Sequence, residues 1–101
     1  MAIFAITFRI HDDSSYHDRY QSVVDAIKTV AAQGNNFWDE PTSFFLIESS
    51  KNSEGIAAEI DQNSDFAASK DLLLVINLSR KGYKAIGLVR DNDLHELMKK
   101  R

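Results

Sequence analysis

The first hydrophobic stretch, AIFAITFRI at residues 2–10, alternates with the two-residue period of a β-strand. The bulkier side chains lie on one face, which carries Phe4, Ile6, Phe8 and Ile10. The other face carries Ile3, Ala5, Thr7 and Arg9. Because both faces are mostly apolar, the pattern predicts a central strand of a sheet, with the bulkier face turned towards helices.

From Ser14 or Ser15 to Gln33 the pattern changes to that of an amphipathic helix. Its apolar residues recur at intervals of four and three, at Tyr16, Tyr20, Val23, Ile27 and Val30. At its start, Ser15 and Asp18 resemble a capping box, and Gly34 is well placed to end it. This spacing predicts one long helix directly after the first strand.

The rest of the chain predicts a hairpin, a second helix, two more strands and a short C-terminal helix. The hairpin has strands near 36–39 and 43–49, the helix begins at Asn52 or Ser53 and ends near Asn63, and the later strands cover 71–79 and 83–89. The first six elements follow the order β-α-β-β-α-β, which is the ferredoxin-like arrangement. We therefore predict a single α+β ferredoxin-like domain over residues 1–101, with an antiparallel sheet, helices on one face, and a C-terminal strand and short helix.

That topology leaves one face of the sheet without helices. The strand pattern places Ile3, Thr7 and Arg9 on this face, and we assign Leu73 and Val75 of the strand at 71–79 to it as well. Phe44 with Leu46, or Phe45 with Ile47, completes it. Because an apolar sheet face of this size is rarely left in water, we predict a homodimer through this face or through the last strand. Trp38 is typical of a core or interface anchor.

The net charge of −3, from 12 Lys+Arg and 15 Asp+Glu, is opposite to that of a dedicated nucleic-acid binder. Nucleic-acid binding would therefore need a local basic patch, for which Arg9, Arg80, Lys81 and Lys84 are the candidates. A basic edge hairpin is also an ordinary protection against aggregation, so both interpretations of the last three stay open. Arg9 either packs its stem and keeps its charge in water, or clamps a phosphate or carboxylate.

His11, Asp12, Asp13 and His17 form the only cluster with the character of metal ligands. Their spacing matches no tight metal motif, and a His-Asp-Asp run before a helix is also typical of helix capping. We therefore predict no bound metal or cofactor. His11, Asp12 and Asp13 are weak catalytic candidates, and only for a nuclease that uses Mg²⁺ or Mn²⁺.

The absence of cysteine excludes a disulfide framework, thiol catalysis and Cys-based metal sites. No apolar run approaches the ~20 residues of a membrane span, and the first residues lack the features of a signal peptide. These observations predict a cytoplasmic protein without a membrane partner.

Five stretches together resemble a known family: AIFAITFRIHDD, YQSVVDAIKTV, NFWDEPTSFFLIES, NSEGIAAEI and DLLLVINLS. The pattern, over residues 2–89, is similar to the small ferredoxin-like family of the CRISPR spacer-acquisition subunit, the GhoS-type antitoxin ribonuclease, the VapD-type ribonuclease and SinR-like proteins. The resemblance implies a homodimer in which two sheets face each other and the final strand pairs with the partner's sheet. Nuclease members place a metal-binding Asp near the end of the first strand, where this chain has Arg9. Since a guanidinium cannot bind Mg²⁺ or Mn²⁺, that catalytic group is not carried over.

The leading functional hypothesis is a homodimeric module that binds nucleic acid or another protein, without catalysis. The alternative is an active metal-dependent endoribonuclease that uses Asp12 or Asp13 with His11. A further alternative is a small-ligand or regulatory module on the same topology. The sequence leaves open whether the protein is an enzyme.

Overall fold

The computed structural model describes residues 1–32 and 37–101. In chain order its elements are β1 (Ala2–Arg9), α1 (Tyr16–Val30), β2 (Phe37–Trp38), β3 (Phe44–Ser49), α2 (Ser53–Gln62), β4 (Leu72–Asn77), β5 (Tyr83–Gly87) and α3 (Asp93–Lys99). The strands form one sheet in the order β2-β3-β1-β4-β5, with every neighbouring pair antiparallel. The predicted ferredoxin-like α+β fold, with an added strand and a short helix, is confirmed. Within the described ranges, no helix is long and apolar enough to cross a membrane.

The central position of β1 follows from its two apolar faces. It pairs with β3 on one side and with β4 on the other. Phe4 and Ile6 are fully buried and Phe8 is nearly so, on the face that α1 and α2 cover. Burying a side chain of this size stabilises the fold by about 1.5–3 kcal/mol, so the prediction for this face is confirmed and accounts for much of the core.

The two long helices contribute the other half of the core. Their buried apolar residues recur at helical spacing: Val23, Ile27 and Val30 on α1, and Ile56, Ala57 and Ile60 on α2. Asn52 caps α2, because its Oδ1 accepts a hydrogen bond from the Gly55 N–H at 2.7 Å. The predicted choice between Asn52 and Ser53 is thereby decided for Asn52.

The ends of α1 differ from the prediction. Ser15 makes no side-chain capping bond to the helix, and its N–H and hydroxyl instead donate to Asp13 Oδ1 at 3.0 and 2.9 Å. The predicted capping box is therefore wrong, because the nearby carboxylate takes the serine's hydrogen bonds. The helix ends at Val30, after which Ala31 is extended. The predicted helix end at Gln33 and Gly34, and the predicted strand start at Asn36, lie outside the described residues.

The assignment of Leu73 and Val75 to the open face is also wrong. In the register of the sheet, Leu73 pairs with Phe8 and Val75 pairs with Ile6. Directly paired residues of antiparallel strands lie on the same face, so both follow their partners beneath the helices. Leu73 and Val75 are fully buried there.

The open face of the sheet is divided into two halves by α3. Near β4 and β5, the Tyr83 hydroxyl is hydrogen-bonded to His95 Nδ1 of α3 at 2.8 Å, and Leu94 lies beside Leu72 and Leu74. In residues 1–32 and 37–101, no helix covers the half formed by β2, β3 and β1. This half presents the apolar residues Ile3, Trp38, Phe44 and Leu46 together with the polar residues Thr7 and Glu48.

Candidate functional site

Asp71, immediately before β4, is a fully buried carboxylate. Its Oδ1 accepts a hydrogen bond from the His11 N–H at 2.8 Å, and its Oδ2 accepts one from the Ala67 N–H at 2.7 Å. Arg19 of α1 also donates to Oδ2 through Nη2. Burial raises the pKa of Asp71, but these hydrogen bonds and the charge of Arg19 together lower it further, so the net pKa lies below its usual value. Asp71 is therefore ionised at neutral pH.

Asp13, in the loop after β1, joins the same network. Its Oδ2 accepts a hydrogen bond from Lys70 Nζ at 2.8 Å and lies 3.4 Å from Arg19 Nη1, while Oδ1 accepts two from Ser15. The hydrogen bond from Lys70, followed by those from Ser15, holds the pKa of Asp13 well below its ordinary range. We call Asp13, Arg19, Lys70 and Asp71 the clamp. It joins the loop after β1, helix α1 and the loop before β4, so its first role is structural.

The predicted metal and catalytic candidates do not assemble into one site. His11, Asp12 and His17 have exposed side chains, and His11 enters the clamp only through its backbone. Both oxygens of Asp13 already accept hydrogen bonds. In residues 1–32 and 37–101, no three His, Asp or Glu side chains are grouped so that they could hold a metal ion.

A groove of about 390 Å³ crosses the open face between β1, β4 and the start of α3. Its apolar lining consists of Phe8, Leu72, Leu74, Leu88, Val89 and Leu94. Its charged lining consists of Arg9, Arg90, Asp91 and Asp93. Arg9 is exposed and makes no ion pair with another residue of the described part of the chain. Its guanidinium is therefore available to a partner or a ligand at this end of the sheet.

The four predicted nucleic-acid contacts do not share one surface. Arg80 and Lys81 lie in the turn after β4, whereas Arg9 pairs with Leu72 at the opposite end of that strand. Lys84 pairs with Val75, so its side chain leaves the sheet on the helix-covered face. Arg9 therefore lies apart from the three basic residues of the β4–β5 hairpin, and contact of these residues with nucleic acid stays a prediction. Arg101 reaches the same turn, where its Nη2 donates to the Gly82 carbonyl at 2.9 Å.

The five predicted interface residues lie on two different faces of the sheet. Ile3, Thr7 and Arg9 lie on the open face, as expected, while Leu73 and Val75 do not. Their places are taken by other residues of the neighbouring strands, namely Phe44, Leu46, Leu72, Leu74 and Ile76. The alternative between Phe44 with Leu46 and Phe45 with Ile47 is decided for the first pair, because Thr7 pairs with Phe44 and Ala5 with Leu46.

Sequence reasoning missed Arg19 and Asp71. Arg19 lies three residues after Tyr16 and four before Val23, on the apolar side of α1. A cation at such a position needs a buried acidic partner, and Asp71 directly precedes the most hydrophobic strand. An arginine on the apolar face of a helix, together with an aspartate directly before a buried strand, could therefore have indicated a buried ion pair.

No protein-family model, curated protein or solved structure matches this chain. The resemblance to the CRISPR-subunit family thus stays a prediction.

Proposed function

We propose that this protein is a homodimeric interaction module that pairs through the uncovered half of its open sheet face and has no metal-dependent nuclease activity. The observation that carries the proposal is the apolar part of the open sheet face that α3 does not cover. We call it the β-face patch, and it consists of Ile3, Trp38, Phe44 and Leu46.

The β-face patch has the composition of an interface centre. Trp38 and Ile3 are 43% and 40% exposed, respectively. The Trp38 ring packs edge-on against Phe44 with 6.4 Å between the ring centroids, and its Nε1 donates to Glu40 Oε1 at 3.0 Å. Trp38 is thus held in place before any partner binds, which reduces the entropy lost on association. Trp residues of this kind are frequent among the residues that dominate binding energy.

A second copy of the chain complements this surface in charge as well as in apolar composition. A twofold axis parallel to the strands and between β1 and β3 would place β1 of one copy over β3 of the other, with Leu46 over the partner's Ala5 and Phe44 over the partner's Thr7. The same axis would place Arg9 near the partner's β2–β3 turn, since that turn adjoins the Arg9 end of β1. Asp39 and Glu40 lie in this turn and are exposed. Their carboxylates would complement the unpaired guanidinium.

The absence of nuclease activity is inferred from the polar groups around the end of β1. Arg9 is the last residue of β1, and the oxygens of Asp13 accept from Lys70 and Ser15. An Mg²⁺ or Mn²⁺ ion needs several oxygen ligands that are free to bind it. Asp12 alone does not supply them.

Sedimentation velocity at micromolar concentration tests the dimer. We expect the wild-type chain to sediment as a dimer and Leu46→Glu to sediment as a monomer, because a carboxylate at the centre of the β-face patch would be desolvated on association. The matched control is Leu97→Glu, which places the same charge on an exposed position of α3. Circular dichroism establishes that both variants fold.

A wild-type monomer across the micromolar range contradicts the proposal. So does an equal loss of dimer in Leu97→Glu, because the effect would then follow net charge and not the patch.

The nuclease alternative is tested by incubating the protein with single-stranded and structured RNA, with Mn²⁺ or with a chelator. We expect no cleavage in either condition. Metal-dependent cleavage that disappears in Asp12→Ala would overturn this part of the proposal and establish the endoribonuclease.

Nucleic-acid binding is a second candidate function, carried by a separate observation. The fold brings Arg101 of the C-terminal segment to the turn that holds Arg80 and Lys81, which concentrates positive charge at one end of a chain with net charge −3. Phosphate contacts weaken as salt rises. Binding of labelled RNA or DNA that falls with salt and with Lys81→Ala supports this candidate, and no binding at low salt removes it.

A further inference from the structure

A second cleft, of about 570 Å³, lies between the turn after β3 and the turn after β4. Its polar lining includes Ser49, Lys51, Asn52, Asn77, Ser79 and Arg80. We call it the turn cleft. It is separate from the open-face groove, since the two share no lining residue.

Two of the three serines that line the cleft, Ser49 and Ser79, donate to no acceptor in residues 1–32 or 37–101. Ser49 Oγ accepts from the Lys51 N–H at 3.2 Å, and Ser79 Oγ accepts from the Ile3 N–H at 3.1 Å. Neither hydroxyl donates to another residue in the described ranges. Ser49 is only 2% exposed, so its unused donor is a buried one. A buried donor without an acceptor costs free energy that a ligand oxygen would recover.

Asn52 and Asn77 also accept hydrogen bonds through their side chains without donating any to a described residue. Asn52 Oδ1 accepts from the Gly55 N–H, and Asn77 Oδ1 accepts from the Ser79 and Arg80 N–H groups at 2.9 Å each. These bonds define the orientation of each amide, because only the oxygen can accept. Both Nδ2 groups are then left without an acceptor among the described residues. Asn77 is 8% exposed as a residue, but its Nδ2 still reaches the surface, because Ser53 Oγ is the one fully buried polar side-chain atom without a partner among the described residues.

The cleft also carries positive charge. Lys51 Nζ is 2.8 Å from Glu59 Oε1, so part of its charge is already balanced. Arg80 is exposed and forms no ion pair with any residue in 1–32 or 37–101. It therefore supplies the unbalanced charge beside the four unused donors.

We infer that the turn cleft binds the phosphate group of a phosphate monoester. Four side-chain donors without an acceptor among the described residues suit a ligand group that accepts hydrogen bonds, and a terminal phosphate has three such oxygens. A guanidinium matches phosphate geometry and charge. This site goes beyond the proposed dimer, since all of its residues come from one copy of the chain.

Titration of the full ¹⁵N-labelled chain, followed by NMR at constant ionic strength, tests the inference. The probes are inorganic phosphate and a nucleoside 5′-monophosphate, with the unphosphorylated nucleoside as the matched control. We expect saturable shifts of the Asn52 and Arg80 backbone amides with both phosphates and none with the nucleoside. No saturable shift with either phosphate overturns the site.

Two variants with the same charge change decide whether the cleft is responsible. Arg80→Ala should weaken phosphate binding about tenfold, because it removes a charge-assisted contact. Lys81→Ala removes an equal charge from a neighbouring residue outside the lining, and it should change the affinity less than about twofold. Equal losses in the two variants would mean unspecific attraction and would overturn the inference.

Asn77→Asp tests the donors themselves. The carboxylate keeps an acceptor for the Ser79 and Arg80 N–H groups but replaces the Nδ2 donor with a negative oxygen, so phosphate binding should disappear. Undiminished binding by a folded Asn77→Asp variant contradicts the inference. If this variant does not fold, Arg80→Ala, whose side chain is exposed, still decides the question.

A last comparison separates this site from nucleic-acid binding at the turn. A 5′-phosphorylated oligonucleotide should bind more tightly than the same oligonucleotide with a 5′-hydroxyl. Equal affinities would contradict the phosphate site while leaving the nucleic-acid candidate in place.

Discussion

Arg19 on α1 donates a hydrogen bond to the carboxylate of Asp71, which lies 52 residues further along the chain. Both side chains are buried, and Asp71 also accepts hydrogen bonds from the backbone of His11 and Ala67. The pair therefore joins the first helix to the loop before β4 and to the end of β1. Removal of one charge leaves the other buried without its oppositely charged partner.

Arg19→Met should lower the free energy of unfolding by about 3–5 kcal/mol, because the buried Asp71 carboxylate loses its counter-charge. Urea denaturation at neutral pH measures the loss. The control is Lys70→Met, which breaks the more exposed contact with Asp13 and should cost less than about 1 kcal/mol. Similar losses in the two variants would refute the central role of the Arg19–Asp71 pair.

The clamp also predicts how stability depends on pH. The folded-state pKa of Asp71 is lowered, so its contribution is present above the unfolded value of about 3.9 and is lost as the pH falls through the folded pKa. The pKa of Asp13 is also lowered, so its contribution to stability is likewise lost at low pH. The free energy of unfolding should be steady from about pH 7 to 5 and fall at lower pH. Because Arg19→Met raises the pKa of Asp71 towards its unfolded value, its stability should fall less steeply; a steeper fall would contradict the assignment.

Position 87 requires glycine because of its backbone conformation and because the Asp71 carbonyl lies close to it. Its φ is +103°, and a Cβ at this position would lie 2.0 Å from the Asp71 carbonyl oxygen. Gly87→Ala should therefore destabilise the fold by more than about 2 kcal/mol. Gly82→Ala is the control, because its nearest contact would be Ser53 Oγ at 3.4 Å. Thermal unfolding measures both, and an unchanged transition in Gly87→Ala would disprove the close approach.

Ser53 carries a buried hydroxyl with no hydrogen-bond partner among the described residues. Its replacement by alanine removes an unsatisfied group, so Ser53→Ala should leave stability unchanged or raise it by up to about 1 kcal/mol. Ser64→Ala is the contrast, since Ser64 Oγ donates to the Ile60 carbonyl and accepts from the Phe66 N–H. It should cost about 1 kcal/mol. Chemical denaturation measures both variants, and a clear loss of stability in Ser53→Ala would show that its hydroxyl has a partner in solution.

The elements and their order were predictable because each depends on a local pattern. The alternation of Phe4, Ile6 and Phe8 indicates a strand with one buried face. The spacing of Val23, Ile27 and Val30 indicates the buried face of a helix. The chain order then leaves few ways to build a sheet with both helices on one side. These predictions needed no knowledge of which residues meet in space.

The site was less predictable because it depends on contacts between distant segments. The pattern around Leu73 and Val75 defines two faces of β4, but only pairing with β1 decides which face the helices cover. Likewise, the turn cleft exists because Asn77 and Ser49 come from strands separated by β1 in the sheet.

The sequence by itself determined the fold class, the central position of β1 and the mostly apolar character of the open face. Only the tertiary structure decided that Asp13 is bound within the clamp, that Lys84 is separated from Arg9, and that unused donors meet beside Arg80. The physical reason is the distance in sequence between the residues involved. Side-chain periodicity is a local pattern that indicates whether a position is buried. Hydrogen-bond partners and charge clusters come from distant segments, so they depend on strand register and packing.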